Sequence, residues 1–335
     1  MSGLNIGRLP HGPRNLISDV PGVRVGHCTV DTEDCHTGVT VVLPPCRNPF
    51  MQKLTAASVV FNGYGKTAGL VQIDELGTLE TPIALTNTLN VGRVHDAMVS
   101  YMLNLCREDG VELTSVNPVV CECNDSRMSA ISRRPVGEYE LQQAIESASA
   151  DFAQGAVGAG RGTICYGLKG GIGSSSRLME IDGETFTLGV LAQSNYGASG
   201  DLRVACLPEG LAESDQGSII LILATDLPLT ARQLKRVLRR TSVGMARLGS
   251  YIGHGSGEIA VGFTTAPKAQ EGSFTVQRSL KEELMNLPFR AAGECAEEAI
   301  LQSMLHAPSD RMRDGTAVPA LRGFLKNNAK TEETD

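Results

Sequence analysis

The chain has 335 residues, 41% of them hydrophobic and 20% charged, which suits a soluble globular protein with a substantial core. A net charge of −7, only 4% aromatic residues and no Trp argue against a nucleic-acid groove or a base-stacking platform. Nine scattered cysteines (28, 35, 46, 106, 121, 123, 165, 206 and 295) are not a secreted disulfide framework, and neither a signal peptide nor a membrane helix can be read, so the expected location is cytoplasmic.

Residues 15–30 and 36–44 are β-rich and punctuated by Pro21-Gly22 and Thr37-Gly38, which predicts two strands. His27-Cys28 and Cys35-His36 match no zinc spacing, so no metal is expected there. Residues 56–67 read as a strand entering the turn Asn62-Gly-Tyr-Gly-Lys66; a phosphate-binding loop would need glycine at position 60, which is Val. An apolar run from Glu80 leads into a helix over 91–105, carried by Val94, Met98, Met102 and Leu105. The acids Asp74, Glu75 and Glu80 read as solvated. Residues 116–125 form a strand entering a loop, with Cys121 and Cys123 on one face. A helix is expected over 138–152.

The glycine-dense run 155–177 lacks the strand–loop–helix frame of a dinucleotide site. A buried strand over 186–197 ends in Ser194-Asn195, and the apolar run 217–226 is a central strand. Residues 230–248 read as one helix. Leu234, Val237, Leu238, Met245 and Leu248 lie on one face and Arg232, Lys235, Arg236, Arg239 and Arg240 on the other, a basic face that is solvated or an oligomer contact. A strand over 258–266, an exposed loop over 267–278, a helix over 287–305 and a disordered polar tail, 326–335, complete the chain. Between the basic helix and the strand, Gly249-Ser250 has two readings. Gly249 can end the helix in a left-handed conformation, the bond being part of a tight turn. Alternatively, Ser250 cuts its own peptide bond and becomes an N-terminal nucleophile, its α-amine (pKa about 7.7–8.0) serving as base.

Several motifs occur in one order between residues 12 and 305: Asn62-Gly-Tyr-Gly-Lys66, Thr86-Asn-Thr88, Asn124-Asp125, Gly158-Ala-Gly160, Gly167-Leu-Lys-Gly-Gly-Ile-Gly173, Ser176-Arg177, the stretch 247–266 and Glu297-Glu-Ala-Ile300. In these the chain resembles the DmpA-type L-aminopeptidase/D-esterase (β-peptidyl aminopeptidase) family of self-processing serine peptidases. The resemblance implies an α/β fold, the four-layer α-β-β-α sandwich shared with ornithine acetyltransferase. It implies a single catalytic domain, 1–325, self-cleaved at Gly249-Ser250 into 1–249 and 250–335, no cofactor or metal, and a homo-oligomer, a tetramer of processed protomers. By the same resemblance Ser250 is the nucleophile, Asn195 donates to the oxyanion, Lys169 is an active-site cation, and Glu297 with Cys295 orients the α-amine. Asn124 and Thr86 then contact substrate.

Two segments depart from the family pattern. Ser126-Arg-Met-Ser-Ala130 replaces Gly-Tyr-Leu-Asn-Asp, so Arg127 stands where relatives have an active-site tyrosine, either to bind a substrate carboxylate or to face water. Cys295-Ala296 replaces the usual hydroxyl residues. The expected activity is release of N-terminal amino acids from small peptides, amides and esters through an acyl-enzyme. Transfer of the acyl group to an amine, as in the ornithine acetyltransferase type, and an inactive binding protein on the same fold are the rivals.

Overall fold

The computed structural model describes residues 6–204 and 215–325; Cys206 and the tail 326–335 lie outside the described residues. The first half supplies strands β1 (Arg24–Asp31), β2 (His36–Leu43) and β3 (Leu54–Gly63), helix α1 (Leu70–Leu76), strands β4 (Thr78–Leu79) and β5 (Ile83–Asn87), helix α2 (Val91–Glu108), strand β6 (Val119–Cys123) and helix α3 (Glu138–Glu146). A small hairpin, β7 (Ile164–Cys165) and β8 (Leu168–Lys169), leads into the long strands β9 (Gly171–Ile181) and β10 (Glu184–Asn195). Strand β11 (Gln216–Thr225), helices α4 (Ala231–Leu238) and α5 (Thr241–Arg247), strand β12 (Gly255–Thr264) and helix α6 (Asn286–Leu305) follow.

The strands form a four-stranded sheet, β1-β2-β5-β6, and a six-stranded sheet, β4-β3-β12-β11-β10-β9. Three apolar layers hold them. Val39, Val41, Ala84, Met98 and Leu141 fill the space between the small sheet and α2 and α3. Val42, Leu85, Cys121 and Cys123 meet Leu191, Ile220, Ile222 and Val261 between the sheets. Val190, Leu221 and Leu223 pack under Leu234, Val237, Met245 and Ile300 of the second helical layer. Strand β11 is apolar throughout because Ile220 and Ile222 serve one layer and Leu221 and Leu223 the other. The expected α-β-β-α sandwich is the observed fold, and Cys121 and Cys123 do share a face.

Four local expectations need correction. The basic helix is two: Arg240 donates its N–H to Val237 O (2.9 Å) in a tighter turn and the Thr241 hydroxyl donates to Leu238 O (2.7 Å), separating α4 from α5. Its basic face is on the surface as expected, with three of its cations paired there: Arg232 and Arg236 with Glu282, and Lys235 with Asp74. Helix α3 stops at Glu146 because Ser149 exchanges backbone hydrogen bonds with Val25 of β1 (3.0 Å each way). The run 267–278 contains an exposed hairpin, Ala269–Glu271 with Phe274–Val276. Glu80, read as solvated, is buried and bonds Lys53 Nζ (2.7 Å) and the Asn117 side chain (2.8 Å).

Candidate active site

Three strands of the large sheet end at one place. In β10 and β11, Asn195 lies opposite Ser218, and in the parallel pair β11 and β12, Ser218 lies opposite Gly257 and Gly217 opposite Ser256. Beside these ends is a cavity of about 260 Å³. Asn195, Gly217, Ser218 and Gly255 line it from the large sheet, and Glu122, Asn124, Ser126 and Arg127 from β6 and the turn after it. Tyr64, Lys66, Thr88 and Ile164 complete the wall. The turn that follows β3 therefore reaches the site.

Asn195 is held in one orientation. Its Oδ1 accepts from the Ile164 N–H (2.9 Å) and its Nδ2 donates to Asn124 O (2.9 Å), leaving the second amide hydrogen for another acceptor. Asn62 braces the approach to β12: its Nδ2 donates to the carbonyls of Gly253 (3.0 Å), His254 (3.1 Å) and Ser256. Asp215 accepts from the N–H groups of Gly197 (2.9 Å) and Gly253 (3.0 Å), tying the end of β10 to the same turn.

Two glutamates are buried here. Glu122 Oε1 accepts from the Lys66 N–H (2.8 Å) and Oε2 from the Thr88 hydroxyl; burial raises its pKa, while those bonds and the Lys66 charge oppose the rise. Glu258 follows Ser256 by two residues on the same face of β12. Burial pushes its carboxyl up to about 7, the nearby Ser256 hydroxyl opposing and the Asp215 charge adding to the rise. The Ser256 and Ser218 hydroxyls and both Glu258 carboxylate oxygens have no well-formed hydrogen-bond partner among the described residues. Such groups are costly in a core and ordinary in a site that acts on a ligand.

The match to peptidase family S58 spans residues 15–318. The chain belongs to peptidase family S58. As a member it is a hydrolase, an aminopeptidase. It is similar to the beta-peptidyl aminopeptidases BapA of Sphingosinicella xenopeptidilytica (33% identity) and Sphingosinicella microcystinivorans (35%), over 88% of this chain and 81% and 82% of theirs. A crystal structure of a Pyrococcus horikoshii protein superposes with a TM-score of 0.90 at 41% identity, covering 98% of both chains. A Burkholderia sp. beta-aminopeptidase superposes at 0.88 with 34% identity, over 98% of this chain and 97% of that one. The L-aminopeptidase D-Ala-esterase/amidase of Ochrobactrum anthropi, described as a variant of the Ntn hydrolase fold, does so at 0.85 with 32% identity, over 96% and 97%.

The S58 chain brings only some of the expected residues together. Asn195, Asn124 and Arg127 line the cavity. Thr86 does not: it is buried, with its hydroxyl donating to Gly38 O (3.1 Å), and Thr88 reaches the cavity instead. Lys169 is fully buried outside the lining, its Nζ donating to the carbonyls of Gly160 (3.3 Å), Thr163 (2.9 Å) and Gly170 (3.1 Å); burial pulls its pKa down to about 7. It holds the loop that presents Ile164 to Asn195. Cys295 is buried against β10, its Sγ donating to Leu188 O (3.5 Å), and Glu297 pairs with Arg247 (3.0 Å), so α6 contributes neither to the lining.

Ser250 also lies off the lining. Its N–H donates to Met245 O (3.1 Å) and its Oγ accepts from the Ile252 N–H (3.2 Å). Gly249 has φ +109°, and a Cβ there would stand 1.7 Å from Asp201 O, so glycine is required by the turn itself. Six residues later, Gly255-Ser256 repeats the Gly-Ser pair; Gly255 lines the cavity, while Ser256, the next residue and fully buried, is off the lining itself. Sequence pattern did not single out Glu122 and Ser218, which line the cavity, or Ser256; for the last, a second Gly-Ser pair opening the apolar strand was the available signal.

Proposed function

We propose that this S58 peptidase releases N-terminal residues from small peptides, amides and esters through an acyl-enzyme on a serine that self-cleavage frees, and that this serine is Ser256. The observation that carries the choice over Ser250 is the register: Ser256 opens β12 beside Gly217, one row from Asn195 and Ser218, and Gly255 lines the cavity. In the first cut, Ser256 Oγ attacks the Gly255 carbonyl carbon. The C–N bond breaks as the C–O bond forms, and the nitrogen gains the proton that Oγ loses. Water then hydrolyses the ester, leaving a Gly255 carboxylate and a free Ser256 amine. No α-amine exists before this cut. Glu258, on the same face of the strand, is the group available to receive the proton first.

After cleavage the Ser256 α-amine, with an ordinary pKa of about 7.7–8.0, takes the Oγ proton as the hydroxyl attacks a substrate carbonyl. The remaining Asn195 amide hydrogen serves the oxyanion, a role in which one donor is typically worth about 2.7–4 kcal/mol. The carboxylate of Glu122 receives the substrate's N-terminal ammonium. The acyl group then passes to water. A cytoplasmic setting fits the eight described cysteines, all free thiols. The reading extends to a homo-oligomer, a tetramer of processed protomers, which sedimentation velocity measures directly.

Intact mass and N-terminal sequencing of the purified protein test the reading. The small chain is expected to begin at Ser256 and contain residues 256–335; a start at Ser250 would return the role to Gly249-Ser250. Ser256→Ala is expected to abolish both the cut and hydrolysis, with Ser250→Ala still processed. An uncut, inactive wild-type chain after long incubation overturns the proposal.

A further inference from the structure

The cavity carries more charge than the reaction requires. An aminopeptidase needs an acid for the substrate ammonium, and Glu122 supplies it; the same wall also holds two cations, Lys66 and Arg127. Among the described residues neither cation makes an ion pair. Lys66 Nζ donates to Tyr64 O (2.9 Å), and Arg127 Nη2 meets only the Met312 sulfur (3.5 Å), a weak acceptor. The carboxyl of Asp314 is held low mainly by the Thr316 N–H, with the Arg127 charge the smallest of several causes.

The turn carrying Arg127 is firmly built. Asp125 beneath it is buried, accepts from Asn87 Nδ2 (3.2 Å), and its carbonyl accepts from the N–H groups of Met128 (2.9 Å) and Ser129 (2.8 Å). Asn124 Oδ1 accepts from the Ser126 N–H (3.0 Å), and the Arg127 carbonyl accepts from the Arg313 N–H (3.1 Å). Asn124 also holds Asn195, so Arg127 and the oxyanion donor belong to one hydrogen-bonded unit. The cavity, about 260 Å³, is just below the roughly 300–1,000 Å³ of drug-sized sites and suits a substrate of one or two residues.

We propose that Arg127 anchors a carboxylate on the leaving side of the substrate, so that this enzyme prefers dipeptides whose released residue carries a free C-terminal carboxylate. The proposal rests on the aminopeptidase reading and adds the substrate class. With the ammonium on Glu122, the scissile carbonyl facing Asn195 and the terminal carboxylate in the fork of a guanidinium, both charges of a zwitterionic dipeptide are matched. A guanidinium holds a carboxylate through two parallel N–H bonds, which an amide or ester leaving group cannot reproduce.

The test compares kcat/KM for three substrates sharing one N-terminal residue and differing in the released part: alanine, alanine amide and glutamate amide. The wild type is expected to favour alanine over alanine amide by more than about tenfold, and Arg127→Gln to narrow that ratio to near one. Calorimetric binding of the alanine dipeptide to uncut Ser256→Ala, with and without Arg127→Gln, gives a readout independent of turnover, and the second substitution is expected to weaken it. An unchanged ratio in an active Arg127→Gln overturns the anchor and leaves the aminopeptidase reading standing. A preference for glutamate amide without one for the free-acid dipeptide overturns the main-chain assignment in favour of an acidic side chain. No turnover of any substrate by wild type overturns both.

Discussion

At the scale of single residues, the site depends on side chains whose surroundings change their chemistry. Glu258 is ordinary in sequence, a lone acid at the start of an apolar strand. Buried, it titrates near neutrality, at about 7. Below that pH it holds its proton and cannot accept one from Ser256; above it the carboxylate can. The rate of self-cleavage is therefore expected to rise with pH through about 7 and to level off above it. Glu258→Gln should slow the cut by about 10²-fold or more and flatten the profile, with Glu258→Asp restoring part of the rate. Time courses by intact mass in buffers across this range check it, and a wild-type profile in Glu258→Gln would remove Glu258 from the first step. Lys169 shows the converse. Its motif suggested a catalytic cation, but three carbonyl oxygens enclose its amine, and its contribution is the shape of the loop behind Asn195.

At the scale of elements, α6 and β9 approach closely enough to dictate small residues. A Cβ on Gly173 would stand 2.0 Å from Ala299 O and 2.3 Å from Ser303 N, both backbone atoms of α6 that cannot move alone. Across the same contact, buried Arg177 pairs with Glu294 (3.3 Å) and Glu298 (2.7 Å). Gly173→Ala is expected to cost about 1–3 kcal/mol, read as a lowered midpoint of urea denaturation at unchanged slope; no shift would mean that α6 slides freely on the sheet. The strands were legible because their apolar runs match their burial, as in β11. The break between α4 and α5 was not, since the apolar face continues across it through Met245 and Leu248. The end of α3 was hidden for a related reason: Ser149 leaves the helix to pair with β1, more than a hundred residues earlier in the chain.

At the scale of the whole molecule, β12 lies inside the large sheet, hydrogen-bonded along its length to β3 on one side and β11 on the other. A cut before this strand leaves it pinned from both sides, with Ile259, Val261 and Phe263 buried between the sheets. If the proposed cut occurs, its two pieces are accordingly expected to co-elute on gel filtration in native buffer and to separate only in denaturant; separation without denaturant would contradict the packing. The sequence by itself determined the strands, the long helices and, through its family resemblance, the four-layer sandwich; of the residues it singled out, Asn195, Asn124 and Arg127 line the cavity. Where Gly249-Ser250 and Gly255-Ser256 lie relative to Asn195 was beyond it, because both serines follow a glycine within one glycine-rich turn and nothing local says which meets the other strands. Tertiary structure decided where each lies: pairing of β10, β11 and β12 in register sets Asn195, Ser218 and the start of β12 side by side, while Ser250 remains on the turn that closes α5. Register is a relation between distant segments, set by which faces two sheets and two helical layers can bury together, and no window along the chain contains it.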